Sequence, residues 1–323
     1  MPGSEEEITE HWTSFDPPVV SVVCITYNHE PYIHDAIEGF LIQETDFPFE
    51  VIIHDDASTD NTAAIIREYA ERYPKIIRPI YQTENQYSLG RRGREVVNAL
   101  CRGRYIALCE GDDFWVDPKK LQTQVDFLER NPDYVMSFHG AFIIDDEGNS
   151  LKESKIPDVK KRDLTQQELL HVRWTPLTLS WVHRNILDLP IPELGMALNG
   201  DAFLTSVLGQ FGKGKYHRDI LPAAYRIHGG GLWSQLRTDR QVRERVVTYL
   251  CLYRYYTRLG KWETAQVFWT RATKTYLNSL KSLQLVAVLW NRTLRRISRA
   301  RGLLLKWIGL GRGTRRPQPG VEE

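Results

Sequence analysis

The sequence has few cysteines and no long apolar run. Its 323 residues include only four cysteines, and none stands in a C-x-x-C pair, so neither a disulfide framework nor a cysteine-based zinc site is predicted. No run of about 18 apolar residues occurs, so the sequence predicts no transmembrane helix. The opening stretch MPGSEEEITEHW is acidic and has no apolar core, which is not typical of a signal peptide. These absences together predict a cytoplasmic protein with free thiols.

Charge is nearly balanced over the whole chain but not along it. The formal net charge is +1, which by itself suggests no polyanionic partner such as a nucleic acid. Residues 285–321, however, contain nine Lys and Arg residues and no acidic residue. The body of the protein is therefore mildly acidic, and its C-terminal tail is basic.

The first part of the chain alternates between predicted strands and predicted helices. Four apolar, mostly β-branched runs read as strands: residues 19–25, 49–54, 75–81 and 104–109. Helical spacing follows the first two runs, and residues 94–102 also look helical. This alternation is typical of an α/β fold with a mostly parallel, Rossmann-like sheet flanked by helices. Pro79 places the third strand at a sheet edge, because proline has no N–H to donate.

The second half of the sequence is less regular. Apolar runs over residues 134–144 and 177–183 predict strands, residues 200–209 a short helix, and residues 215–228 one or two strands. Two helical stretches then fill residues 238–281. The predicted organisation is a flexible lead-in over residues 1–18, an α/β domain over 19–235, a helical extension over 236–284 and a basic amphipathic tail over 285–323.

Three polar clusters follow predicted strands at the points where the strands end. They are TYNH (26–29), HDDASTD (54–60) and EGDDFW (110–115). The carboxyl ends of parallel strands meet at one edge of a sheet, and ligands bind there. That edge would gather four carboxylates, those of Asp55, Asp56, Asp112 and Asp113.

Carboxylates this close repel one another unless a cation or hydrogen-bond donors offset their charge. A hard divalent ion held through one or two of them, with a substrate phosphate completing its coordination, fits the arrangement. The structural alternative is a solvated acidic turn at EGDD and a helix cap at DDASTD. Repetition of the same arrangement at two strand ends favours the ion.

The motifs VSVVCITYNHEPYI, FEVIIHDDASTDNT, CRGRYIALCEGDDFW and YRIHGGGLWS resemble glycosyltransferase family 2, which has the GT-A fold. The resemblance extends over roughly residues 19–235. Within the family, the sequence resembles bacterial enzymes that build polysaccharide or glycolipid chains. It implies transfer of a sugar from a nucleotide diphosphate donor to an acceptor hydroxyl, with inversion at the anomeric carbon. It also implies a Mn²⁺ or Mg²⁺ cofactor, and a glycan or lipid-linked acceptor as partner.

The resemblance assigns the nucleotide-sugar contacts to residues after the first, second and fourth strands: Thr26, Tyr27, Asn28, Asp55, Asp56 and Asp112. Asp56 is preferred for a base N–H, since a carboxylate that accepts this bond favours uracil or thymine. A UDP donor is therefore expected. Asp112 is assigned to the ribose.

The metal motif of the family falls on EGDD, where its commonest form has two Asp separated by one residue. Either Glu110 and Asp112 form that spaced pair, or Asp113 is the terminal ligand, and Asp113 is favoured. His228 is expected to be a third ligand or a diphosphate contact. The three glycines after it would let the backbone approach phosphate, and a plain strand-ending polar residue is the structural alternative.

The resemblance assigns the general base to an acidic residue at a helix start in the second half of the domain. Asp201 has that position and is the predicted catalytic residue, which would take the acceptor proton as the diphosphate leaves. A helix N-cap is the alternative interpretation of Asp201.

Two other functions fit the sequence less well than a glycosyltransferase. A sugar-phosphate nucleotidyltransferase would carry a glycine-rich basic loop after the first strand, and CITYNHEPY has none. A non-catalytic domain that binds nucleotide sugar is disfavoured because the motif acids are all present. The stretch GQFGKGKY matches part of a P-loop, but Tyr216 stands where a Ser or Thr is needed.

The C-terminal tail has apolar residues at near-helical spacing among its basic residues, with Trp290 and Trp307. Such a segment is typical of a helix that lies on an anionic membrane surface. Residues 285–316 are therefore predicted to bind the inner membrane face and to make the protein peripheral there. The alternative is a helix packed on the catalytic domain with a solvated basic face.

Overall fold

The computed structural model describes residues 2–90, 97, 99–187, 190–230 and 238–280. The chain divides into two compact units, one within residues 1–235 and the other within residues 236–323. The predicted tail over residues 285–323 lies outside the described residues, as do residues 94–96 and 98 of the predicted helix at 94–102, Gly231 and Trp233. Among the described residues, all four cysteines are free, as predicted.

Strands of the first unit are numbered in chain order: β1 (Val20–Thr26), β2 (Phe49–Asp55), β3 (Ile77–Tyr81), β4 (Tyr105–Leu108), β5 (Tyr134–Phe138), β6 (Ala141–Ile144), β7 (Ser150–Lys152), β8 (Val182–Arg184), β9 (Lys213–Tyr216) and β10 (Ala223–Arg226). Seven of them form one sheet in the order β3-β2-β1-β4-β8-β5-β9, and the other three form a small sheet in the order β10-β6-β7. Within the large sheet only β8 runs antiparallel to its neighbours. The predicted, mostly parallel sheet is confirmed.

Helices of the described residues are α1 (Glu5–Thr9), α2 (Ile33–Leu41), α3 (Thr62–Arg72), α4 (Lys120–Arg130), α5 (Gln166–Leu170), α6 (Gly200–Leu208), α7 (Thr238–Arg258) and α8 (Trp262–Ser279), with short 3-10 turns at Asp158–Lys160 and Thr178–Ser180. Helix α4 is amphipathic, since Leu121, Val125 and Leu128 are all buried. The helices predicted over 200–209 and 238–281 are confirmed as α6, α7 and α8.

Strands β1 and β2 place the first two polar clusters at one edge of the large sheet. Nearly every residue of β1 and β2 is buried, as expected for parallel strands covered on both faces. They pair in register from Val20 opposite Phe49 to Thr26 opposite Asp55. β4 lies on the other side of β1, and β3 is the edge strand that Pro79 predicted. The chain therefore emerges from β1, β2 and β4 on the same side of the sheet.

Two predicted strands are divided in the structure. Residues 134–144 form β5 in the large sheet and β6 in the small one, and the chain changes sheets at His139 and Gly140. The apolar run hides this break, because both halves are buried. Residues 177–183 begin with a 3-10 turn, closed by the Ser180 hydroxyl donating to the Leu177 carbonyl, before β8 starts.

The N-terminal segment is packed, which differs from the flexible lead-in that its polar composition predicted. A capping box between Ser4 and Glu7 starts helix α1. Trp12 is buried, donates from Nε1 to the Thr45 hydroxyl at 3.1 Å and packs edge-on against Phe49. Burial of one large aromatic side chain stabilises the segment by about 2 to 3 kcal/mol. The mostly polar composition of residues 1–18 gives no sign of this contribution.

The second unit contributes a helical pair to the described chain. Helices α7 and α8 pack along each other, with the ring of Tyr256 stacked on Phe268 at 5.7 Å between centroids. Alternating apolar positions at helical spacing explain this pairing. None of the helices in the described parts of the chain is both long and apolar enough to cross a bilayer.

Candidate active site

The loop after β1 is fastened to the turn after β2. The backbone N–H of Asn28 donates to the Ser58 hydroxyl at 2.9 Å, and Asn28 Oδ1 accepts from the Thr59 N–H at 2.8 Å. Asn28 adopts a left-handed backbone conformation with φ of 54°, which asparagine tolerates better than most residues. The two loops therefore form one surface, and the Tyr27 ring stands 44% exposed on it. An exposed ring in this place is suited to stacking on a base.

Asp55 and Asp56 have different surroundings. Asp55 is buried and accepts the Ser58 N–H on Oδ2, while its Oδ1 has no hydrogen-bond partner among the described residues. The Asp56 carboxylate accepts the N–H groups of Gln86 and Tyr87 at 2.8 and 3.0 Å. Asp55 therefore offers an unused acceptor, whereas Asp56 holds the 86–87 segment. The preference for Asp56 at the base stays a prediction.

The EGDD turn after β4 lies directly against the end of β1. The Gly111 N–H donates to the Ile25 carbonyl at 3.1 Å. A β-carbon on Gly111 would stand 2.8 Å from both the Thr26 Cβ and its hydroxyl oxygen. Only glycine allows this approach without displacement. The Thr26 hydroxyl is itself buried without a hydrogen-bond partner in the described chain.

Three carboxylates of this turn lie together. One oxygen from each of Glu110, Asp112 and Asp113 lies within 4.8 Å of the others. Asp113 is buried, and its Oδ1 accepts the Arg226 N–H at 2.8 Å. Burial, followed by the charges of Asp112 and Glu110, raises the pKa of Asp113 well above its usual range. The turn therefore carries more negative charge than it can readily hold without a cation.

Asp112 is flanked by two imidazoles. Its Oδ2 lies 3.0 Å from Nε2 of His228 and 4.0 Å from Nε2 of His29. Burial opposes ionisation of Asp112, but the hydrogen bond from His228 and the charge of His29 outweigh it, so the pKa of Asp112 is lowered. Its Oδ1 is buried and has no hydrogen-bond partner among the described residues. The pKa values of the adjacent residues Asp112 and Asp113 are therefore shifted in opposite directions.

Arg226 holds the turn in place without neutralising its carboxylates. Its buried guanidinium donates to the Asp112 carbonyl at 3.1 Å and to the Asp35 carboxylate at 2.6 Å, and it lies over the Tyr32 ring. None of these guanidinium contacts is with the side chains of Asp112 or Asp113. The unpartnered Asp112 oxygen and the clustered oxygen and nitrogen donors fit a divalent cation.

Asp201 is the second residue of helix α6, and Asn199 is the N-cap residue. The Asp201 Oδ1 accepts the N–H of the next residue, Ala202, at 2.8 Å, so the capping interpretation of Asp201 is wrong. Asp201 also lies near the acidic turn: burial raises the pKa of Tyr225, and the charges of Asp113 and Asp201 are among the further causes. Tyr225 therefore lies within electrostatic reach of both the proposed metal turn and the proposed base.

The structure brings together most of the residues that the sequence predicted: Thr26, Tyr27, Asn28, Asp55, Asp56, Asp112, Asp113 and His228. Sequence reasoning did not assign roles to Arg226 and His29. His29 is part of the motif TYNH, and Arg226 is part of the motif YRIHGGG. The contacts of the His29 ring and of the Arg226 guanidinium form where the large sheet packs against the small sheet. A single sequence does not reveal that packing.

Comparison with known proteins identifies the family. The model of the family "Glycosyl transferase family 2" matches residues 21–188. A Mycobacterium tuberculosis protein, Rv1520, is 39% identical over 226 residues, which are 69% of this chain and 62% of Rv1520. The chain thus spans less than two thirds of that relative's length. A protein of Escherichia coli named UDP-Glc:alpha-D-GlcNAc-diphosphoundecaprenol beta-1,3-glucosyltransferase WfaP is 35% identical over 112 residues, 34% of this chain and 41% of WfaP.

Two solved structures share the fold. S. aureus TarS in complex with UDP-GlcNAc superimposes with a TM-score of 0.54 at 17% identity and covers 82% of this chain and 77% of TarS. The mannosyltransferase PcManGT from Pyrobaculum calidifontis, in complex with GDP-Man and Mn²⁺, gives a TM-score of 0.51 at 16% identity and covers 91% of this chain and 85% of PcManGT. At this identity the likeness concerns the fold alone, and it confirms the predicted GT-A class.

Proposed function

This chain belongs to glycosyltransferase family 2, and from that premise we propose an inverting, metal-dependent transfer of a sugar from a UDP-linked donor to an acceptor hydroxyl. The acceptor is proposed to be a growing glycan or a lipid-linked sugar in polysaccharide or glycolipid assembly. One observation carries this proposal above the others. Asp112, Asp113 and His228 converge at the carboxyl edge of a parallel sheet, and a buried oxygen of Asp112 lacks a hydrogen-bond partner in the described chain.

Nucleotide binding is assigned to the surface formed by the loops after β1 and β2. Tyr27 would stack on the base, and a carboxylate of Asp55 or Asp56 would accept its N–H. The unused Oδ1 of Asp55 supports such a contact. The bound UDP-GlcNAc of TarS and GDP-Man of PcManGT show that proteins of this fold take nucleotide sugars. UDP is preferred here because uracil carries an N–H that a carboxylate can accept.

The divalent ion, Mn²⁺ or Mg²⁺, would be held by Asp113 and His228. When bound, it supplies positive charge that stabilises the departing diphosphate. Asp112 would hold the ribose through its Oδ1, while its Oδ2 faces His228. Arg226 keeps both aspartates in place through the Asp112 carbonyl and the Asp113 carboxylate. PcManGT, with Mn²⁺ in its complex, supports an ion in this fold.

Asp201 is the proposed general base. It would accept the proton of the acceptor hydroxyl as the oxygen attacks the anomeric carbon on the face opposite the leaving diphosphate, which inverts that carbon. Its place at the start of α6 leaves the side chain half-buried. The helix N-terminus favours the carboxylate form of the residue, which is the form that a base needs.

A lipid-linked acceptor would bring the protein to a membrane. WfaP is named for a diphosphoundecaprenol-linked acceptor, and the basic residues 285–316 have the composition of a membrane-surface segment. We therefore propose a cytoplasmic enzyme that binds the inner membrane face through these residues.

The decisive experiment incubates the full chain with UDP-, GDP- and dTDP-sugars, with and without Mn²⁺, and separates the products. Release of UDP together with a lengthened acceptor supports the proposal. Release of pyrophosphate would indicate a nucleotidyltransferase. Donor binding without release of either product would indicate a binding domain. An α-configured product from an α-linked donor would contradict inversion.

A further inference from the structure

His29 lies at the acidic turn although no metal motif includes it. It stands on the loop after β1, where its backbone N–H donates to the Thr62 hydroxyl at 2.9 Å. Its side chain is only 15% exposed, and its Nδ1 is buried with no hydrogen-bond partner in the described chain. An imidazole with an unpaired nitrogen is costly to bury without a function, because an unpaired polar group loses its hydration.

The ring of His29 points its other nitrogen toward Asp112. Nε2 lies 4.0 Å from Asp112 Oδ2, which is too far for a hydrogen bond. The rings of His29 and His228 meet nearly at right angles, with centroids 5.8 Å apart. One atom from each of His29, Asp112 and His228 lies within 4.8 Å of the others.

These separations suit three ligands of one ion. Ligand atoms stand about 2.0–2.2 Å from a bound divalent transition metal, so two of them lie roughly 3 to 4.4 Å apart. The measured 3.0 and 4.0 Å to Asp112 Oδ2 fall in that interval. Each element that contributes a ligand is fixed separately: the 29 loop by Thr62, the turn by Arg226, and His228 by the strand that precedes it.

We infer that His29 is a second imidazole ligand of the ion, so that His29 and Asp112 Oδ2 join the proposed ligands Asp113 and His228, and that the site therefore selects a first-row transition metal over Mg²⁺. A ligand set with two imidazoles favours transition metals, whereas Mg²⁺ prefers oxygen ligands and keeps its waters. The inference rests on the proposed function for the ion's role in donor binding. Metal binding itself is measurable without any sugar transfer.

The test uses full-length protein freed of metal with a chelator. Calorimetric titration gives the affinity for Co²⁺ and for Mg²⁺, and pulsed EPR of the Mn²⁺-loaded protein counts the bound imidazole nitrogens. We compare the wild type with His29→Gln, His228→Gln and His34→Gln. His34 is a matched control, because it is an exposed histidine five positions away whose ring contacts Tyr69. UDP release is assayed in parallel.

The wild type should show two imidazole couplings, and His29→Gln and His228→Gln one each. His29→Gln should weaken Co²⁺ by at least about 10-fold and change Mg²⁺ by less than about 3-fold, since glutamine offers an oxygen in place of nitrogen. Equal weakening of both ions would overturn the inference and indicate structural damage. A single coupling in the wild type would overturn it without any variant.

Failure of the proposed function looks different. Transfer that continues after the metal is removed contradicts metal dependence, yet two imidazole couplings would still support His29 as a ligand. Metal-dependent transfer with one coupling that His29→Gln leaves unchanged contradicts only the role of His29. His34→Gln should match the wild type in every measurement.

Discussion

Nε2 of His228 lies 3.0 Å from Oδ2 of Asp112, although 116 positions separate the two residues in the chain. The contact joins the large sheet to the small one, because Asp112 follows β4 and His228 follows β10. The same junction gives Arg226 its buried position. The acidic turn after β4 therefore gains its contacts with Arg226 and His228 only when the second half of the domain has folded. Disruption of either sheet should abolish metal binding.

Substitution of Asp113 by Asn should separate metal binding from folding. Asparagine can still accept the Arg226 N–H that Asp113 accepts at 2.8 Å, while the charge is removed. Because burial and neighbouring carboxylates raise the pKa of Asp113, loss of its charge should leave the metal-free protein as stable as the wild type or more so. Mn²⁺-dependent binding of a UDP-sugar should fall by at least about 10-fold, as measured by calorimetry.

Asp133→Asn is the matched control for Asp113→Asn. Asp133 precedes β5 and pairs with Lys213 at 2.7 Å on the surface, so its loss should leave donor binding unchanged. Unaltered metal-dependent binding in Asp113→Asn would remove Asp113 from the ligand set.

Gly111→Ala should disturb the nucleotide site through packing alone. The added methyl group would stand 2.8 Å from Thr26 side-chain atoms, so the acidic turn or the end of β1 must shift. Overpacking of this kind typically costs about 1 to 3 kcal/mol, and donor affinity should fall with it. Gly140→Ala is the control, because its methyl group would meet Tyr216 and Pro222 at ordinary distances of 3.5 and 3.7 Å. Equal donor affinity in the two variants would show that the close approach at Gly111 is unimportant.

The order of elements was predictable because it depends on local patterns. β1 and β2 are continuous apolar runs, and the polar clusters after them must share an edge if the strands are parallel. The division of residues 134–144 into β5 and β6 was not predictable, since both halves read as strand and only the tertiary fold assigns them to different sheets. His29 was not predicted as a site residue for the same reason. Its proposed role depends on its distance to Asp112 in the fold, not on its spacing along the sequence.

Lys120 should make the free energy of unfolding depend on pH in the neutral to alkaline range. The side chain is fully buried, donates to Gln124 at 2.7 Å and lies over the Trp115 ring. Burial lowers the pKa of Lys120 from 10.5 to about 7. Below about pH 7 the amine is charged in both states, and the folded protein carries the full cost of burying it. Between roughly pH 7 and 10.5 only the unfolded chain binds the proton, so stability rises with pH.

Lys120→Met removes this effect at similar volume. The free energy of unfolding of the wild type should therefore rise relative to Lys120→Met by up to about 1.4 kcal/mol per pH unit between pH 7 and 10. Urea unfolding at several pH values measures it, and other titrating groups cancel in the comparison. A difference that is constant with pH would mean that Lys120 keeps its ordinary pKa in the folded protein.

The basic tail should bind anionic membranes. Residues 285–316 include Arg292, Arg295 and Lys306 among apolar residues, and each cation near an anionic surface contributes about 1 kcal/mol. The full chain should sediment with phosphatidylglycerol vesicles at low salt and be released at high salt, while neutral vesicles should not bind it. Truncation after residue 284 should abolish binding and spare transfer to a soluble acceptor. A full chain that ignores anionic vesicles at low salt would contradict the membrane proposal.

Asp201→Asn should distinguish a general base from a residue that only stabilises the first turn of α6. Asparagine can keep the bond that Oδ1 accepts from the Ala202 N–H at 2.8 Å, so helix α6 and overall stability should be preserved. It cannot accept the acceptor proton, so kcat should fall by roughly 100-fold or more while donor affinity stays within a few-fold. Asp201→Ala, which removes both roles, should lose stability as well as turnover. Near-normal kcat in Asp201→Asn, measured as UDP release under saturating donor and acceptor, would leave Asp201 with only its hydrogen bond in the first turn of α6.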